Sequence, residues 1–201
     1  MLASVVVPAS VAAAPVVVRI HHESTILGTD GVSRTERYDE RLVRDGDQVW
    51  IERVLPAALP KATDLHDVDL HVAVRWFVRS GDGVRAALVS VPDELVVELE
   101  PASLDSFAIP ARWVEAANLV DISSLEPGRA EDGARWYERR DAAATTRVLW
   151  DRALNLPRRV EIRSSNGRIT TRMTVIRDTG DPRPWQRARR FRRIDRSDLG
   201  D

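Results

Sequence analysis

VLWDRALNLPRRVEIRSSNGRITTRMTVI, residues Val148–Ile176, decides the reading of this chain. It reads as a strand ending on Trp150, a Leu156-Pro157 corner, and two further strands joined at Asn166-Gly167. Apolar or β-branched side chains recur at every second position: Val148 and Trp150, Val160 and Ile162, then Ile169, Thr171, Met173 and Val175. That period belongs to a sheet with one face covered and the other wet. The Asn-Gly pair suits the positive φ angles of a tight hairpin turn.

Working outward, the same pattern continues. Val16–Leu27, Val32–Arg44, Gln48–Leu55, Val68–Arg79, Val84–Val91 and Leu95–Glu100 read as strands separated by short glycine-bearing turns. The gaps are too short for parallel crossovers, so the sheet is expected to be antiparallel and mostly a meander. In Val68–Arg79, residues Leu70, Val72, Val74, Trp76 and Val78 share one face. Ser33–Arg44 is charged on both faces around Tyr38 and Leu42, which predicts a solvated edge or rim strand. Pro110 can open a helix over Ala111–Val120, with Trp113, Ala117 and Val120 on one side. Helical turns are expected in Ala102–Phe107 and Ser123–Glu126, a loop over Pro127–Gly133, and a strand from Ala134. The expected fold class is mainly β (α+β). It would be an incomplete antiparallel β-barrel, or strongly curved sheet, with a short helical insert covering its concave face.

The 201 residues suit one domain with a sizeable core. Thirty basic side chains against thirty-one acidic ones give no general push toward nucleic acid or membrane. Cysteine is absent, which excludes disulfides, thiolate metal sites and lipidation on cysteine. Met1–Ala14, MLASVVVPASVAAA, resembles the end of a secretory h-region with a small-x-small cleavage site. The expected organisation is a signal-peptide remnant over 1–14, one β domain over 15–180, and a basic tail over 181–201. The expected location is the periplasm of a Gram-negative-type envelope.

The Leu156-Pro157 corner followed by Arg159-Val160-Glu161-Ile162 and Gly167-Arg168 resembles the terminal hairpin of the LolA/LolB-like outer-membrane lipoprotein-sorting carriers. The likeness is specific over about Val148–Asp178 and topological elsewhere. It implies an open barrel whose concave apolar face holds an acyl chain under helices. The chain departs from the pattern in starting on a strand at Val16. No arginine is matched to the family's helix-latching one, and no family site residue is carried over.

Six tryptophans stand against three phenylalanines and two tyrosines, so they either fill the core or wall an apolar cavity. By facing, the candidate wall is Val72, Val74, Trp76, Trp113, Trp150, Val160, Ile162 and Met173. The tail segment RPWQRARRFRRIDR, Arg183–Arg196, interleaves arginine with Trp185 and Phe191. Arg183, Trp185, Arg189, Arg190 and Phe191 are its candidate contacts, either to an anionic membrane surface or protein partner, or to the protein's own body. His21, His22, His66 and His71 lie near carboxylates, but each adjacent pair points to opposite strand faces, so no metal site is assigned. GxSxG, HExxH, GxxxxGK[ST] and GxGxxG are all absent. The expectation is a non-catalytic carrier for a lipid or lipoprotein acyl chain, with no cofactor and no nucleic-acid partner. The alternatives are a protein-interaction or sensor module on the same fold and, more distantly, a histidine-centred metal-binding or hydrolytic role.

Overall fold

The computed structural model describes residues 14–64 and 68–199; the leader-like residues Met1–Ala13, and His66, lie outside them. In chain order the strands are β1 (Val16–Leu27), β2 (Ser33–Asp45), β3 (Gln48–Val54), β4 (Val74–Ser80), β5 (Gly83–Ser90) and β6 (Leu95–Leu99). A helical insert containing α1 (Trp113–Asn118) follows. Then come β7 (Glu126–Glu131), β8 (Ala134–Arg140), β9 (Ala144–Asp151), β10 (Leu156–Ser164) and β11 (Ile169–Arg177). A short helix α2 (Trp185–Ala188) leads to β12 (Arg192–Asp195).

All of these strands join one sheet in the order β12-β6-β5-β4-β3-β2-β1-β11-β10-β9-β8-β7. Neighbours are antiparallel except β12, which lies parallel to β6. The sheet is curved and does not close, and short helices cover part of one face. This is the open, helix-covered sheet that the sequence and its resemblance to LolA/LolB-like proteins imply. No helix among the described residues is long and apolar enough to cross a membrane.

Period two sorts the side chains onto two faces, and the β3–β6 half of the sheet is covered on both. On the inner face Val18, Ile20, Leu42, Val49, Phe77, Leu88, Leu95 and Val97 pack under Leu104, Ile109, Ala116 and Ala117 of the insert. On the outer face Val43, Trp50, Val74, Trp76, Val89 and Val96 pack under Trp185 and Ala188 of α2. The Trp50 and Trp76 rings lie 6.3 Å apart, tilted by 54°.

Several expectations are corrected. Strand β2 is a solvated edge only in its first part: Ser33–Arg37 is exposed and unpaired on the β3 side, whereas Asp39–Asp45 lies between β1 and β3. In that second part its charges face cross-strand partners rather than open water. Asp39 meets His21, Glu40 meets His22 and Arg75, and Arg41 meets Glu52 and Asp178. The outermost strands are β12 and β7. Strand β7 occupies the expected loop Pro127–Gly133. An edge strand tolerates Pro127 at a register shift, and Asp132 (φ 46°) with Gly133 (φ 77°) forms the turn into β8. Strand β4 begins at Val74 rather than Val68, because Asp69 accepts a hydrogen bond from the His71 amide and turns the chain there. The basic segment expected as a tail lies on the body. The Arg192 amide donates to the Glu94 carbonyl at 2.9 Å, Arg183 reaches Asp45 at 2.7 Å, and Trp185 is 2% exposed.

The outer face of β8–β2 carries a row of alternating charge across six strands. Cross-strand register aligns Glu138, Arg147, Glu161, Arg172, Glu23 and Arg37 in sequence. Arg147 lies 3.5 Å from both Glu138 and Glu161, and Glu23 lies 3.5 Å from Arg172 and 2.7 Å from Arg37. Exposed pairs of this kind add little stability singly, but a one-residue slip would break every one of them, so the row fixes register.

Trp185 anchors the C-terminal segment over Trp50 and Trp76. Trp185→Ala is expected to lower unfolding free energy by about 3–5 kcal/mol, read from the denaturant midpoint at unchanged m-value.

Candidate functional site

Beside the apolar packing of α1, the inner face opens into a cleft of about 710 Å³ between the helical insert and strands β1–β4 and β11. Ile51, Phe77, Ile109, Ala116, Leu119 and Met173 supply its apolar lining. The insert is held in place by Arg44, which points from β2 to the inner face. Its guanidinium donates to the Ala117 carbonyl at 2.8 Å, Asn118 Oδ1 at 2.6 Å, the Leu154 carbonyl at 2.6 Å and the Asn155 carbonyl at 3.2 Å. These acceptors are the end of α1 and the β9–β10 turn, carbonyl groups that a short helix and a turn leave open. Burial pulls the Arg44 guanidinium below its ordinary pKa.

The floor of the cleft holds a polar knot. Residues Val18, Ile20 and His22 follow one another on the inner face of β1, as do Leu42 and Glu40 on β2. An apolar stripe on each strand thus ends in a titratable side chain. His22 Nε2 lies 3.0 Å from Glu40 Oε2, and Arg75 from β4 donates to Glu40 Oε1. Tyr38 stacks on His22 with ring centroids 4.5 Å apart, and the Arg53 guanidinium sits 4.5 Å over Tyr38. Burial by itself would push the Glu40 carboxyl up; the hydrogen bond from His22 and the charge of Arg75 outweigh it and hold the group below its usual range. Burial, and then the Glu40 charge, push the Tyr38 phenol up.

The rim is similarly paired. Arg112 reaches Asp121 at 2.8 Å and Glu115 at 3.5 Å, and Arg139 reaches Asp141 at 3.4 Å. The backbone and side chain of Ser123 lead the causes that lower the Asp121 pKa. Among the described residues no buried side-chain polar atom lacks a partner, and no group of three or more His, Asp and Glu converges as a metal set.

The expected wall residues do not form one surface. Met173 lines the cleft. Trp150 and Val160 pack beside it with Leu125 and Val148, in an inner-face cluster further along the sheet. Trp113 packs on the core under the insert. Val74 and Trp76 face outward against α2, and Val72 lines a separate hollow of about 500 Å³ beside Leu55, Leu59 and Arg187. Ile162 stands at the exposed end of β10, 38% accessible. Alternation identifies which residues share a face, but here both faces of β4 are covered, so it could not say which face was inner. Of the expected tail contacts, Phe191 packs on the outer cluster and Arg189 borders a hollow with Trp76 and Arg193, while Arg190 is exposed. His22, Glu40, Arg75 and Arg44 are absent from the sequence-derived site. Their signal was present, as polar residues at inner-facing positions of otherwise apolar stripes.

Arg44→Met is expected to cost about 2–3 kcal/mol, because it strands carbonyls that a charged donor now satisfies, and to speed amide exchange across Trp113–Asn118. Since the folded-state pKa of Glu40 is lowered, its stabilising contribution is complete above the ordinary glutamate value of about 4.3 and is lost as pH falls through the folded value. Glu40→Gln is therefore expected to flatten the acid limb of the stability profile, measured by denaturation at a series of pH values.

No protein-family model matches the chain, and no curated protein does. Several solved structures are similar at low identity. One is PNGF-II, at 11% identity and a TM-score of 0.44, over 91% of this chain and 32% of that one, so this chain spans about a third of that protein's length. An uncharacterised conserved protein from Thermus thermophilus matches at 10% identity and a TM-score of 0.43, over 90% of this chain and 91% of the other. A LolA superfamily protein from Nitrosomonas europaea matches at 9% identity and a TM-score of 0.32, over 85% and 89% of the two chains.

Proposed function

We propose that the protein is a non-catalytic periplasmic carrier that holds a hydrophobic moiety, an acyl chain of a lipid or lipoprotein, in the cleft beneath its helical insert. The observation that carries this reading is the cleft itself. Its volume of about 710 Å³ falls within the roughly 300–1,000 Å³ usual for small-ligand sites. The apolar strip from Phe77 and Ile51 to Met173 offers a chain-shaped path beside α1, and the short insert is a cover that a ligand can lift.

The chemistry of the floor supports binding over catalysis. Glu40 accepts hydrogen bonds from both His22 and Arg75, which hold it as a carboxylate below its usual range. A general base works best with a pKa near the working pH, and Glu40 is shifted away from it. The leader-like Met1–Ala14 supports an exported protein.

Native mass spectrometry of the protein purified without detergent from its own periplasm is expected to show added mass that extracts into organic solvent. A fluorescent acyl probe should bind in proportion to protein, and Met173→Trp, which fills the cleft mouth, should weaken it by about tenfold or more. A bare polypeptide mass together with no probe uptake would sink the proposal.

A further inference from the structure

Among the described residues seven large apolar side chains stay exposed; Leu59 (39%) and Ile176 (47%) stand apart, and the other five, Ile26 (49%), Leu27 (42%), Val32 (50%), Ile162 (38%) and Ile169 (44%), share one end of the sheet. Ile26 is the cross-strand partner of Ile169, and the Leu27 amide donates to the Arg168 carbonyl at 2.8 Å. The Gly28 amide donates to the Val32 carbonyl at 2.9 Å, which folds Val32 back over the β1–β2 turn. The β1–β2 and β10–β11 hairpin tips are thus side by side and share one apolar rim.

Arginines are interleaved with these residues. Arg34 lies opposite Ile26, and Arg163 and Arg168 flank Ile162 and Ile169 along the chain. Arg163 has no acidic partner among the described residues. Arg168 directs its Nε to the Leu27 carbonyl at 3.1 Å and has no carboxylate either. The acids at this end are already engaged: Asp30 on Arg34 at 2.7 Å, and Asp141 on the Ala143 and Ala144 amides and Arg139. The end therefore presents apolar tips with uncompensated positive charge.

We propose that this end of the sheet docks on a phospholipid membrane bearing anionic headgroups. Ile26, Leu27, Val32, Ile162 and Ile169 enter the interface, and Arg163 and Arg168 meet the phosphates. Water-exposed apolar clusters rimmed by polar groups mark interaction surfaces, and arginine beside interfacial aliphatic side chains is complementary to headgroup phosphate over acyl chain. Two hairpin tips make a narrow end, whereas a stable protein interface takes about 800 Å² from each partner. Ile169, Thr171 and Met173 follow one another on the inner face of β11, so the docked end leads to the cleft. The docking itself does not depend on the carrier reading.

The test is co-sedimentation of the full chain with phosphatidylcholine vesicles, with and without phosphatidylglycerol. Wild type is expected to sediment with the anionic vesicles. Ile26→Ser/Ile169→Ser should weaken binding to them by about tenfold, and Arg163→Gln/Arg168→Gln should reduce it to the level seen with neutral vesicles. All four substituted positions lie at the exposed sheet end, so unchanged thermal midpoints are expected and check the fold. Acyl-probe binding in vesicle-free buffer reads the cleft separately, so either proposal can fail alone. No sedimentation with either vesicle, or undiminished sedimentation of both double variants, overturns the docking. So does a dimer in analytical ultracentrifugation that Ile26→Ser/Ile169→Ser abolishes, which would assign the rim to self-association.

Discussion

One half-buried guanidinium ties the structure together. Arg44 projects from the centre of the sheet and binds, at once, the end of α1 and the turn between β9 and β10. Helix α1 is six residues long, far below the length at which an isolated helix is stable in water, so it depends on this anchor and on its packing against the core. The cleft exists because a short helix is pinned at its C-terminal end and packs through Ala116 and Ala117 on the inner face. Burying a charge is costly unless its donors are satisfied, and here four acceptors satisfy them. The same arrangement joins the two halves of the sheet, because Leu154 and Asn155 follow β9 while Arg44 belongs to β2.

That constraint explains what the sequence could and could not disclose. Val16–Leu27 reads directly as β1, and Asn166-Gly167 as a hairpin turn in which Gly167 takes φ 69°. These features are local: a period, a turn residue, a proline. Strand β2 was legible as a solvated edge over Ser33–Arg37 and misread over Asp39–Asp45, because charge on both faces normally means solvent. There its carboxylates and guanidiniums find partners on β1, β3 and β4, a pairing across strands that no local pattern encodes. The same holds for β12. A four-residue strand that pairs in parallel with β6 after a long connection has no hairpin signal, and its arginines disguised it as a tail. The Asp132-Gly133 pair, by contrast, was a readable hairpin signal for β7, hidden by Pro127.

The candidate site was legible in the same uneven way. Alternation on β11 found Met173, and alternation on β9 and β10 found Trp150 and Val160, because those strands have one covered and one wet face. On β4 the adjacent Trp76 and Phe77 are both buried, so they are equally good core residues on opposite faces. Three of the six tryptophans, Trp50, Trp76 and Trp185, fill the outer cluster, while Trp113 and Trp150 pack on the inner face. The residues that shape the cleft floor are the polar ones that interrupt inner-face stripes.

The division of labour between the two faces follows from where charge was tolerated. On the outer side of β8–β2, the row Glu138-Arg147-Glu161-Arg172-Glu23-Arg37 neutralises itself and contributes mainly to register. Inside the cleft, Glu40 neutralises Arg75 while His22 completes its hydrogen bonding. At the tips of β1 and β11 both devices lapse. Apolar side chains are exposed there, and Arg163 faces no carboxylate. That is a combination a surface with hydrocarbon beneath phosphate would match.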